Sequence, residues 1–172
     1  IDWGAYNGKK ELRDREVARA KALEKAGQVG KLTEQSVQGR TIIGNVRNFL
    51  KIIGLGWVAK GKEVEVWFVP GMQGRGWWDV QGNKVIVFIN AEVLFRQDVE
   101  KIHRIVLHEL LAATQNPLLD HDFNADLEEV LVKAKVHTMQ LREPALAERL
   151  LRVLNGKVEP RFPVRTLLPS LS

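Results

Sequence analysis

Residues 102–114, IHRIVLHELLAAT, set an imidazole, His108, directly before a carboxylate, Glu109. Read as a helix at about 100° per residue, Val99, Ile102, Ile105, Val106, Leu110 and Ala113 share one broad face, and Glu109 falls among them. Leu107 and Leu111 lie on the opposite side, so this helix is apolar nearly all round and belongs at the centre of its domain. A carboxylate so embedded needs a hydrogen-bond partner, a cation or a cleft that reaches down to it. His108 and Ala112 stand four residues apart and point the same way, flanking Glu109.

An apolar strand, a connection and then a central helix bearing His-Glu-x-x-His is the arrangement of the zincin metallopeptidases. The chain resembles that family, as a minimal domain of the gluzincin type, over about residues 63–140. The residues that carry the likeness are His108-Glu109-Leu110-Leu111-Ala112, preceded by the strand Lys84 to Asn90. The resemblance implies that His108 ligates zinc and that Glu109 is the general base acting on a metal-bound water. It also implies that the strand 84–90 is an edge strand that takes an extended peptide or protein partner beside the cleft.

The chain departs from the pattern at Ala112, which stands where the second zinc histidine belongs and whose methyl group ligates nothing. In the glutamate-ligand branch the third ligand comes from the next helix. Its nearest counterpart here is Asn124-Ala125-Asp126, with an amide in the ligand place, or Glu128 or Glu129 a turn later. His121, within Asp120-His121-Asp122, is a further candidate from the loop between the two helices. The candidate metal ligands are thus His108, His121, Glu128 and Glu129, with Glu109 as the catalytic candidate. One histidine and one amide alone would not hold zinc at useful affinity. The competing reading of His108-Glu109 is a half-buried polar pair with no chemical role, and of Asp120-His121-Asp122 a helix cap with solvated neighbours.

Other conspicuous residues read more plainly. His103 is expected at a surface or interface and His137 at a boundary. Trp77 and Trp78 are neighbours on a strand and so face opposite ways. The run Gly71-Met72-Gln73-Gly74-Arg75-Gly76 joins two strands and opens no helix, which argues against a phosphate loop and for a flexible flap. No serine or threonine sits in a nucleophile elbow. Basic residues alternate with acids along KKELRDRE, a solvated face, so nucleic acid is not an expected partner.

These residues need a frame, and the hydropathy pattern supplies one. Residues 9–27 read as an exposed helix with a thin stripe of Leu12, Val17, Ala20 and Leu23, ended by Gly27. Residues 33–53 read as a helix with a core face of Val37, Ile42, Ile43, Val46, Phe49, Leu50 and Ile53. Three strands follow, Glu63 to Val69, Arg75 to Val80 and Lys84 to Asn90, the last two joined at Gln81-Gly82-Asn83 as a hairpin in a small antiparallel sheet. Helices over about 99–115, 123–142 and 145–154 come next, then a Pro-rich extended tail at 157–172. The fold class is α+β, in a single domain over 1–172 with residues 1–30 as an exposed helical arm.

Composition bounds what such a domain does. The 172 residues are 45% hydrophobic and 27% charged, enough to build a core without staples. The chain has no cysteine, which removes disulfides, thiolate nucleophiles and Cys-type zinc sites. No apolar run approaches the roughly 20 residues of a membrane span. The net charge of +5 is compatible with acidic partners without demanding them. The chain starts at Ile1 rather than Met, as expected of a processed or excised piece. The functional expectation is a metallopeptidase-related domain with an incomplete zinc site and impaired or absent peptide hydrolysis. The alternative is a non-enzymatic interaction or structural module of a larger protein.

Overall fold

The computed structural model describes residues 3–52, 56, 59–96, 99–115 and 144–145. The expected helices over 123–142 and 145–154, and the tail at 157–172, therefore lie outside the described residues, apart from 144–145. The elements in chain order are α1 (Trp3–Lys25), β1 (Gly30–Leu32), α2 (Val37–Ile52), β2 (Glu63–Val69), β3 (Gly76–Gln81), β4 (Lys84–Asn90), α3 (Glu92–Phe95) and α4 (Val99–Gln115). The fold class is α+β, as the pattern predicted. Among the described residues no helix is long and apolar enough to cross a membrane.

Strand periodicity sorts the side chains into two cores. Val64, Val66 and Phe68 of β2 and Val85, Val87 and Ile89 of β4 point to one face, where α2 and α4 pack on them. Trp67, Val69, Ile86, Phe88 and Trp77 point to the other, against Val17 and Ala20 of α1, with Leu12 and Leu23 beside them. Trp77 and Trp78 do face opposite ways, and both are buried. On α2, Ile42, Ile43, Val46, Phe49 and Leu50 are buried, each worth about 1.5–3 kcal/mol relative to exposure. Val37 is exposed instead, at the first position of the helix.

The ends of the helices follow from local chemistry. The Gly27 amide bonds back to the Glu24 carbonyl and the Gln28 amide to that of Leu23, with Gly27 at φ 71°, a left-handed stop suited to glycine. Ser36 caps α2 by accepting the Gly39 amide at 3.1 Å. A β-carbon at Gly39 would lie 1.9 Å from the Thr33 carbonyl oxygen, so this close approach admits only glycine.

The sheet differs from the expected three antiparallel strands. Among the described residues it has four, ordered β1-β2-β4-β3, and β2 pairs with β4 in parallel while β1–β2 and β3–β4 are antiparallel. The strand β1 is three residues long, too short to show a period. The expected hairpin is present, turning at Gly82 with φ 61°, but β4 folds back between β2 and β3. The expectation that strand 84–90 is an edge open to an extended partner is therefore corrected. Both its edges are occupied, and a strand whose residues 85–89 are all buried is an interior strand. Among the described residues the sheet ends at β1 and β3.

Because β4 takes the place next to β2, the loop 70–75 spans two strand spacings, about 10 Å. It is tied at several points. The Gln73 amide donates to Glu16 at 3.2 Å, Asn90 Nδ2 to the Met72 carbonyl at 3.0 Å, and Trp77 Nε1 to the Gln73 carbonyl at 2.6 Å. Arg19 donates to the Pro70 carbonyl. These bonds join the glycine-rich loop to α1, β3 and β4.

Candidate functional site

The helix α4 spans Val99–Gln115, which matches the sequence reading, and lies between α2 and the strands β3 and β4. Its apolar ring is fully used: Ile102, Ile105, Val106, Leu107, Leu110, Leu111, Ala112 and Ala113 are all buried. Glu109 sits among them at 2% exposure. The carboxylate that the pattern placed on an apolar face is indeed inside the protein.

Gly76, the first residue of β3, is what makes room for it. A β-carbon at Gly76 would come 2.6 Å from Ile105 Cγ2 and 3.2 Å from Glu109 Cγ. Glu109 therefore lies directly under the start of an edge strand. His108 is half-exposed, with its side chain 38% accessible and its Nε2 3.8 Å from Glu109 Oε1. That distance is too long for a hydrogen bond, and the pair is ionic only when the imidazole is protonated.

The ligand set is tested by the donors present. Ala112 is fully buried and offers a methyl group one turn from His108. Among the described residues no group of three or more His, Cys, Asp or Glu side chains is placed to hold a metal ion. His121, Glu128 and Glu129, and with them Asn124, lie outside the described residues. The described part of the site thus supplies one imidazole, which does not fit a zinc ion, and no hydrolytic step follows from it.

His103 lies on α4 one turn and a little before the site. It is 3% exposed, with its Nε2 3.3 Å from Asn45 Nδ2 of α2, so it belongs to the interface between the two helices. His137 lies outside the described residues.

The edge beside Glu109 has a definite polarity. The Asn90 amide donates to the Arg75 carbonyl at 3.1 Å, which fixes residues 75 and 90 as a hydrogen-bonded pair. Such pairs alternate along an antiparallel ladder. With Gly76 opposite Ile89, it follows that Trp77, Asp79 and Gln81 bond to β4, while the backbone groups of Gly76, Trp78 and Val80 point away from the sheet. One of these outward groups is taken: Arg13 Nε of α1 donates to the Trp78 carbonyl at 3.0 Å. The guanidinium also lies 3.9 Å from the centroid of the Trp78 ring. Sequence reasoning missed Gly76 and Arg13. Gly76 was one glycine in a glycine-rich run, and Arg13 one cation in a charged stripe.

On the opposite face of the sheet Glu65 is buried, accepting Trp67 Nε1–H at 2.9 Å and pairing with Lys84 Nζ at 3.1 Å. The hydrogen bond with Glu65, and then its charge, hold the Lys84 ammonium above its ordinary range. This cluster faces away from Glu109 and ties β2 to β4.

No family model, no curated protein and no solved structure matches the chain. The resemblance to zincins accordingly rests on the sequence motif alone.

Proposed function

We propose that the chain is a zincin-like, metallopeptidase-related domain whose zinc site is incomplete, so that it binds an extended peptide without efficiently hydrolysing it. The observation that carries this reading is the seating of Glu109: a buried carboxylate on the central helix, directly beneath Gly76 of an edge strand. A family in which a glutamate works beside a peptide-binding edge needs that juxtaposition. β3, rather than residues 84–90, is taken as that edge. Ala112 in the second ligand place supports the loss of metal, because a single imidazole does not bind zinc tightly. The burial of Glu109 also favours the second reading, a non-catalytic interaction module, and the two readings part on zinc.

Elemental analysis of protein purified without chelator, followed by zinc titration, tests the proposal. The expected result is well below one zinc per chain and no micromolar binding, with a gain of about tenfold or more when Ala112→His adds an imidazole one turn from His108. About one zinc per chain, lost on His108→Ala, would show instead that His121, Glu128 or Glu129 completes the site, and peptidase assays would follow. A folded Ala112→His protein with no gain in zinc affinity would remove the family reading and leave the interaction module.

A further inference from the structure

We infer that α1 is a releasable strap, which undocks from the sheet as a unit, hinged at Gly27 and buckled at Asp79, and so uncovers the aromatic face beneath it. Among the described residues its apolar hold is slight: Val17 and Ala20 are buried, and Leu12 and Leu23 only in part. On the other face of the sheet, α2 buries Ile42, Ile43, Val46, Phe49 and Leu50. Burial stabilises in proportion to apolar area, so by this measure α1 is the more weakly held of the two helices. It contributes no strand either, so its departure breaks no ladder. The turn at Gly27, φ 71°, lies between α1 and Val29, which stays seated in the core of the same face.

The polar hold on α1 reaches mostly to one strand and the loop that leads into it. Arg13 and Lys21, about two turns apart, converge on Asp79 of β3 at 3.5 and 2.7 Å. Arg13 also donates to the Trp78 carbonyl and Arg19 to that of Pro70, while Glu16 accepts the Gln73 amide. Water takes over each of these bonds once α1 swings out, so each adds little net stability. The face left behind keeps its own bonds. Trp67 Nε1–H stays on Glu65 at 2.9 Å and Trp77 Nε1–H on the Gln73 carbonyl at 2.6 Å, with the Trp67 and Phe88 rings 5.3 Å apart, edge to face. Met72 lies on the same face at 5% exposure. The loop that α1 lets go runs into Gly76, so release of the strap loosens the chain above Glu109.

The test is amide hydrogen exchange on the full chain, read by mass spectrometry, together with the rate at which peroxide oxidises Met72 to its sulfoxide. The strap predicts that residues 10–25 of the parent exchange through an opening that leaves β4 and α4 protected. Asp79→Asn removes the partner of both cations. It should speed exchange over 10–25 and oxidation of Met72 about tenfold, with β4 and α4 unchanged. Lys21→Gln, at a partly exposed side chain, removes one pair with less risk to folding and should act in the same direction at about threefold. Exchange over 10–25 in step with β4, in the parent or in a variant, would overturn the strap, because α1 would then leave only with the whole fold. Faster exchange with Met72 oxidation unchanged would overturn it as well, since the helix would be fraying in place. No change in either readout for both folded variants would leave Asp79 no hold on α1 and overturn the proposal.

Discussion

A methyl group at Gly76 would meet the branched carbon of Ile105, the Glu109 side chain and the Phe88 carbonyl, the last at 3.2 Å. None of these is a flexible end that moves aside, so Gly76→Ala is expected to cost about 1–3 kcal/mol in urea unfolding. Ile105→Ala removes the nearest obstruction, and the double variant should cost less than the sum of the two. Strict additivity would show that the strand rather than Ile105 takes up the strain. Lys84 makes a prediction in pH. Its folded value is raised above the ordinary 10.5, so its contribution to stability is full below that value and is lost as pH climbs through the raised one. The melting temperature of the parent should exceed that of Lys84→Gln by a constant margin below the ordinary lysine range, and the two should converge as pH climbs through the raised value. A margin that persists at the alkaline end would show that packing, not charge, is responsible. At this scale the sequence made Glu109 legible, since an acid on an apolar helical face is visible as a pattern. Gly76 was not, because a glycine's reason lies in the neighbour brought against it.

Between elements, Arg47 of α2 makes a multiple tie outside the sheet. It donates to both carboxylate oxygens of Glu34, at 2.6 and 3.1 Å, to the Ala59 carbonyl at 2.6 Å and to that of Lys62. Glu34 also accepts the amide of Val64 in β2. One guanidinium thus joins both flanks of α2 to the start of the strand. Arg47→Met, which keeps the stem, is expected to cost about 2 kcal/mol and to speed hydrogen exchange at residues 59–64. Unchanged exchange there would mean that the chain path holds without the clip. The bounds of β2, β4 and α4 were readable because each is long enough to show its period. The order of the strands was not. The apolar run at 84–90 has the composition of an interior strand, but a hairpin partner and a family likeness both drew it to the edge.

For the whole molecule, charge and composition allowed an ordinary α+β domain and the structure has that form, with α1 on one side of the sheet and α2 and α4 on the other. What no single-chain pattern conveys is that the site is made by residues far apart in the chain: Arg13, Gly76 and Glu109 meet only through the sheet. The placement of β4 has a temporal consequence. Of the described strands, the last to leave the ribosome is the one that belongs between its two predecessors, so a nascent chain that has reached residue 83 holds β2 and β3 without the strand that joins them. Their apolar sides stay in water until seven more residues arrive, and closure then makes the parallel and the antiparallel ladder together. A fragment of residues 1–83 is expected to bind hydrophobic dyes and melt without a cooperative transition. A sharp transition would mean that α1, α2 and β2 form a core of their own before synthesis supplies the middle of the sheet.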